Sequence, residues 1–459
     1  MVPLLTSSKM KTIPNAGGWA LLPFLVFVLS FLGTGLLLDD FYAFSAPVAV
    51  VLGVIAAFLI LRGSADAKVA ALIRGCGDSK IITMCLIYLL AGAFATVTAA
   101  MGGVEATVQL GLHLIPLQYL ALGIFVLAAF LSTATGTSVG AIVALGPIAA
   151  GLAAESGISL PLMMGALLGG AMFGDNLSMI SDTTIAATQT QECEMKDKFR
   201  INLRIAGPAA LLTIILLLLS GFYAEAVVGA GEESAPLALW RILPYLLVVG
   251  LAVAGVNVFN VLTIGTLFSG LSGILAGDFG WLGISQEVYK GFTGMTDIFL
   301  LSMLTGGLAA MVAEAGGIDF LLRKVKGAIH TPKTAQLGIG ALVGTTNMAI
   351  ANNTVSIVIA GPLAREISLQ FGVDKRKVAA LLDIFACFVQ GLLPYGAQML
   401  ILLSFTEGSL AYFDVLPYAW YLYLLLLTSL LSISLPVKGR RKEPTGLAEQ
   451  KGKVLKKAA

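Results

Sequence analysis

Long apolar runs alternate with short polar connections along the whole chain. Runs long enough, or nearly long enough, to cross a bilayer lie near 17–38, 43–62, 81–101, 117–133, 137–155, 161–187 and 205–227. A second set lies near 238–256, 258–277, 296–315, 336–350, 354–371, 378–404 and 416–436. Gly, Thr or Asn interrupts several of them. Irregular backbone is tolerated at membrane depth only where protein or a cavity surrounds it, so the interruptions predict broken helices or re-entrant hairpins near the midplane. The pattern predicts an all-α polytopic membrane protein.

Basic residues collect between the runs. Lys68, Arg74 and Lys80 form one group, Lys196, Lys198, Arg200 and Arg204 a second, and Arg323, Lys324, Lys326 and Lys333 a third. Lys375, Arg376 and Lys377 make a fourth, and Lys438, Arg440, Arg441 and Lys442 lie in the tail. The opposite connections carry Asp39, Asp40, Glu105, Glu232 and Glu233. Threading the runs places every basic connection on one side with both termini, which the positive-inside rule makes the cytoplasmic side. The expected organisation is a cytoplasmic N-terminus at 1–16, a first transmembrane repeat at 17–227, a second, inverted one at 232–436 and a basic cytoplasmic tail at 437–459.

The two sets of runs are related. A shift of 215 residues brings Ala134 onto Ala349, Ile142-Val143 onto Ile357-Val358, and Gly146-Pro147 onto Gly361-Pro362. Each half holds an odd number of runs, so the second half enters the membrane the other way up. Inverted repeats of this kind underlie alternating-access transporters, which bind their cargo where the halves meet.

Composition agrees with the pattern. Of 459 residues 58% are hydrophobic and 12% charged, against about 25% charged in soluble domains. A net charge of +2 spread over short connections offers no surface for nucleic acid. Cys76, Cys85, Cys193 and Cys387 show no metal-binding spacing and are read as free thiols. The first run is long for a signal sequence and no targeting peptide stands out, as fits a bacterial inner membrane.

Chemistry concentrates in Phe173–Thr184. Asp175, Asn176, Ser178, Ser181, Asp182 and Thr183 fall inside or at the end of an apolar run. Carboxylates and hydroxyls there are costly unless they face a protein-lined cavity or bind something. All offer oxygen, which suits a hard cation. Gly174 is the expected point of helix breakage. Thr135, Thr137 and Ser138 interrupt an earlier run, and the corresponding stretch of the second half carries Asn352, Asn353 and Thr354. The counterpart of Asp175 is Gln390, so the second half shares the shape without the carboxylate. Asp383 has two readings: a proton carrier, or a partner of Lys377 or Arg376 near the interface.

The segment Gly174-Asp175-Asn176-Leu177-Ser178-Met179-Ile180-Ser181-Asp182-Thr183-Thr184 resembles the hallmark of the NhaC-type Na⁺/H⁺ antiporter family, with Met179 where proline is usual. Leu393-Pro394-Tyr395-Gly396 resembles that family's break in the second half. The resemblance implies a secondary transporter, not an enzyme, without a cofactor. Its expected partners are membrane lipid and transported Na⁺ and H⁺, with a small organic substrate and a homodimer as further options.

Asp175 is then expected to hold either a proton or Na⁺, since removal from water favours the protonated carboxyl and a cation compensates the ionised one. Asp182 is the expected second charge. The rival reading on the same fold is a Na⁺- or H⁺-coupled transporter of an amino acid or small carboxylate. A remote one is an intramembrane aspartyl protease using Asp175 and Asp383 as its dyad.

Overall fold

The computed structural model describes residues 17–38, 45–179, 181–223 and 238–434, and regular structure among them is helical throughout. The segments 1–16 and 437–459, and the acidic pairs at 39–40 and 232–233, lie outside the described residues. The first half comprises α1 (Leu22–Leu38), α2 (Ala46–Ile60), α3 (Ala65–Cys76), α4 (Ser79–Ala100) and α5 (Gly103–Leu114). It continues with α6 (Leu120–Thr135), α7 (Ser138–Ser156), α8 (Leu160–Leu177), α9 (Asp182–Gln191) and α10 (Met195–Tyr223). The second half begins with α11 (Leu243–Val253), α12 (Val258–Ala276), α13 (Trp281–Gly294), α14 (Thr296–Glu314) and α15 (Gly317–Gly327). It ends with α16 (Pro332–Ile350), α17 (Asn353–Phe371), α18 (Lys375–Leu392), α19 (Ala397–Ser404), α20 (Tyr412–Val415) and α21 (Trp420–Ser434).

Seven helices among the described residues are long and apolar enough to cross a membrane, or eight if a bent pair at 412–434 is one span. Four short helices, α3, α5, α13 and α15, have no counterpart among the apolar runs. They are amphipathic, so a search for continuous hydrophobicity passes over them.

The repeat is present residue by residue. Helices α7, α8 and α9 start 215 positions before α17, α18 and α19, and both broken spans carry their break at the same place. Gly136 and Ala351 both adopt the left-handed conformation, as do Gly157 and Gly372. Thr137 and Asn352 cap the helices that follow, their side-chain oxygens accepting from Gly140 N and Val355 N. Ser132 Oγ donates to the Ala171 carbonyl (2.6 Å), and its counterpart Asn347 Nδ2 donates to the Ala386 carbonyl (2.8 Å).

The halves interlock through glycines. A Cβ on Gly75 of α3 would lie 2.4 Å from the Gly306 carbonyl oxygen of α14, and one on Gly92 of α4 would lie 2.2 Å from the Gly291 carbonyl oxygen of α13. Likewise Gly361 of α17 receives Thr190 of α9, and Gly146 of α7 receives Phe405 just beyond α19. Each half thus holds the distal part of the other's broken span.

The two broken spans run in opposite directions. Glu192, just past α9, pairs with Arg365 of α17, and Asp197 at the start of α10 lies 3.9 Å from Arg376 at the start of α18. The exit of α8–α9 therefore lies beside the entry of α18, as inversion requires. Helices α18 and α19 continue as one span, Lys375–Ser404, broken at 393–396, which makes it a broken helix rather than a hairpin. All four cysteines are free thiols.

Candidate functional site

Helix α8 carries the first half's carboxylate into the interior. Gly170 and Gly174 let it lie directly on α6, where a Cβ would come within 2.2 Å of the Phe125 carbonyl and 2.4 Å of the Ala129 carbonyl. Gly174 is therefore a packing residue. The helix does not break there but continues through Leu177, and the interruption falls at Ser178–Ser181, with Ile180 outside the described residues. Ser178 ends α8, its N–H donating to the Gly174 carbonyl (2.9 Å), and Ser181 caps α9 by accepting from Thr184 N (3.3 Å).

This places Asp175, 5% exposed, in the last turn of α8 and against the first residue of α7. Ser138 Oγ donates to Asp175 Oδ2 at 2.8 Å, at the positive end of the α7 dipole. Gln398 Nε2 donates to Ser138 Oγ (3.0 Å), and Gln390 Nε2 donates to Gln398 Oε1 (2.9 Å). A continuous chain of side chains thus joins the Asp175 carboxyl to its repeat counterpart Gln390. Ser181 faces the same carboxyl from across the break.

The second carboxylate of this cluster is Asp383, not Asp182. Asp182 is exposed in the first turn of α9, because its neighbours Ser181, Thr183 and Thr184 take the inward positions. Asp383 is fully buried in α18 and forms an ion pair of 2.7 Å with the equally buried Lys198 of α10. Its expected interfacial partners are engaged elsewhere: Lys377 donates to the Ser432 carbonyl and Arg376 pairs with Asp374. Asp383 lies eight residues beyond Lys375, about 12 Å along a helix, too deep for that end of α18 to reach.

Lys198 was expected in a basic connection. Instead α10 begins at Met195, and Lys198 and Asn202 share its inward face with Ile205, Ala206, Ala209 and Thr213. The ammonium also donates to Thr184 Oγ1 (2.6 Å) and to the Asn176 carbonyl (3.2 Å). Asn202 Nδ2 donates to Asp383 Oδ2 and to the Asn176 carbonyl, both at 2.8 Å. Lys198 and Asn202 thus both hold Asp383 Oδ2. Helical spacing of Lys198 and Asn202 with the apolar residues that follow was the signal available in the sequence.

The remaining candidates divide. Asn176 is buried, donating through Nδ2 to Tyr421 Oη (3.2 Å), and Thr183 Oγ1 lies 2.7 Å from Ser181 Oγ. Thr135 stays within α6, its hydroxyl directed to the Thr137 carbonyl (3.4 Å), and Thr137 serves as a cap. Asn352 caps α17 and reaches Met84 Sδ, Asn353 Oδ1 accepts from Thr354 N, and Thr354 is buried. These three belong to the second break. Beside it lies a cavity of about 20 Å³ lined in part by Tyr88, Ser302, Thr305, Ala351 and Tyr395, room for about one water molecule.

Three buried amide oxygens of this network, Asn176 Oδ1, Asn202 Oδ1 and Gln390 Oε1, have no hydrogen-bond partner among the described residues. Buried polar atoms are nearly always satisfied, and all three of these are acceptors. The groups free to meet a cation here are these amide oxygens.

The sequence profile of the Na⁺/H⁺ antiporter family matches residues 2–222 and 236–440. The chain belongs to that family. It is 25% identical over 375 residues to a malate-2H⁺/Na⁺-lactate antiporter of Bacillus subtilis, covering 75% of this chain and 79% of that protein. It is 25% identical over 385 residues to the Na⁺/H⁺ antiporter NhaC of the same organism, covering 77% and 83%. NhaC of Alkalihalophilus pseudofirmus is 27% identical over 374 residues, covering 74% and 79%. Membership makes this multi-pass membrane protein an antiporter.

Proposed function

We propose that this antiporter exchanges Na⁺ for H⁺ at Asp175 by alternating access. One observation carries the reading. Asp175, Asp383 and Lys198, all buried, sum to a single net negative charge when ionised, and the residues joined to them hold the three partnerless amide oxygens. A net charge in the protein interior is strongly disfavoured until a counter-charge neutralises it. One proton on Asp175 does so, and one Na⁺ held by Asp175 with oxygens of Asn176, Ser178, Ser181 and Ser138 does so equally. Binding of either excludes the other.

The exchange needs no resident cofactor, since the gradients of its two cargoes drive it. The repeats at 17–227 and 232–436 move against each other around the site, in the inner membrane, with both termini and the basic connections cytoplasmic. The test uses proteoliposomes with an internal pH dye. External Na⁺ drives proton movement in the parent protein, and Asp175→Asn reduces it to the protein-free background. Undiminished exchange by that variant removes Asp175 from the mechanism.

A second reading, exchange involving a small organic acid, is favoured by one relative that carries malate and lactate and by a buried ammonium beside the site. Thermal stabilisation by dicarboxylic or amino acids in detergent, beyond that given by their sodium counter-ion, separates it from simple exchange.

A further inference from the structure

We infer that the oxygen cage around the Lys198 ammonium is a second monovalent-cation site, filled here by the lysine as a tethered cation. The inference deepens the exchange reading by adding a site, but it concerns binding at Asp383 and not transport at Asp175.

Three oxygens surround the ammonium: Asp383 Oδ2 at 2.7 Å, Thr184 Oγ1 at 2.6 Å and the Asn176 carbonyl at 3.2 Å. They are held in place by groups other than Lys198. Thr184 Oγ1 donates its hydrogen to the Ser178 carbonyl (2.7 Å), which turns its lone pairs toward the ammonium. Asn202 Nδ2 anchors both Asp383 Oδ2 and the Asn176 carbonyl. The cage is therefore built without the lysine. Asn202 Oδ1, buried and partnerless, offers a further acceptor on the same residue.

The charge and chemistry of the cage select its occupant. One carboxylate balances one positive charge, so a divalent ion would leave an excess. Oxygen alone meets the ammonium, which selects a hard cation. The ammonium is a single positive charge among oxygens, and an alkali cation presents the same charge to the same donors. Asp383 belongs to the second half while Thr184, Asn176 and Lys198 belong to the first. The occupant, lysine or metal, thereby ties the two halves together.

The experiment measures thermal unfolding of the full chain in detergent, in choline, sodium and potassium chloride at equal ionic strength. Lys198→Met removes the ammonium and keeps the bulk. Its midpoint is expected to rise from choline to an alkali salt by clearly more than the parent's does, with the larger of the Na⁺ and K⁺ responses naming the better occupant. In Lys198→Met with Asp383→Asn that excess should vanish. Folding of Lys198→Met only in alkali salt would support the site equally. A response no larger than the parent's, an excess that survives Asp383→Asn, or a Lys198→Met chain that folds in no salt while the double variant folds, would each overturn it. None of these outcomes bears on Asp175→Asn in proteoliposomes, so the two claims fail separately.

Discussion

The two breaks of this antiporter share a backbone and differ in chemistry. In the first, Asp175 sits at the end of α8 and accepts from Ser138; in the second, Gln390 sits at the end of α18 and donates to Gln398. Ser178 ends α8 where Leu393 ends α18, and Ser138 opens α7 where Asn353 opens α17. Small residues, helix caps and left-handed turns recur in both halves, so they specify the shape. The ionisable groups recur in neither direction: Asp383 and Lys198 correspond to Leu168 and Phe413. A pair of inverted halves supplies the two-sided frame, while a single asymmetric cluster supplies the charge.

The asymmetry can be broken most heavily at Lys198. In choline salt, Lys198→Met should leave Asp383 buried and unpaired and lower stability by about 3–5 kcal/mol, seen as a fall in the thermal midpoint. Phe413→Leu, at the equivalent place in the second half, should change little by the same measure.

The shared frame should respond alike in both halves. Gly361→Ala drives a Cβ to 2.5 Å from Thr190, and Gly146→Ala drives one to 2.2 Å from the Phe405 ring. Each is expected to cost about 1–3 kcal/mol, again by thermal unfolding. A large cost at one site alone would mean that the two distal segments are not equivalent supports.

A smaller effect is expected at the left-handed turns. Ala351 has φ 55° where its counterpart is Gly136. The left-handed conformation costs an L-residue about 1–2 kcal/mol, partly offset by the greater unfolded-state entropy of glycine. Ala351→Gly should therefore stabilise by up to about 1 kcal/mol, whereas Gly136→Ala should destabilise.

The smallest change is expected at the surface link between the halves. Arg365 lies beside Glu192 and holds its carboxyl below the usual range. A depressed carboxylate contributes fully above its unfolded value, and the contribution disappears as pH falls through the folded one. Arg365→Ala should thus lower the thermal midpoint slightly at neutral pH and not at all once Glu192 is protonated.

Much of this was legible in the chain. The inverted repeat was readable because Gly-Pro and Ile-Val pairs recur at one spacing, and the burial of Asp175 was readable because it lies inside an apolar run. Other parts were hidden by mixed signals. Lys198 sits among Lys196, Arg200 and Arg204, which face outward, and only helical phase separates it from them. Gly174 suggested a break because glycine permits one, yet here the same missing side chain serves contact with α6. Asp182 turns outward and Asp383 inward because inward direction depends on where a cap begins a helix, and hydropathy carries no such phase.

The most direct measurement compares Asp175→Asn with Gln390→Leu in matched proteoliposomes, following internal pH after a jump in external Na⁺. The expected result is proton movement at background for Asp175→Asn and reduced but sodium-dependent movement for Gln390→Leu. Sodium-driven proton movement retained by Asp175→Asn would contradict the account, because the charge chemistry would then lie outside the first break.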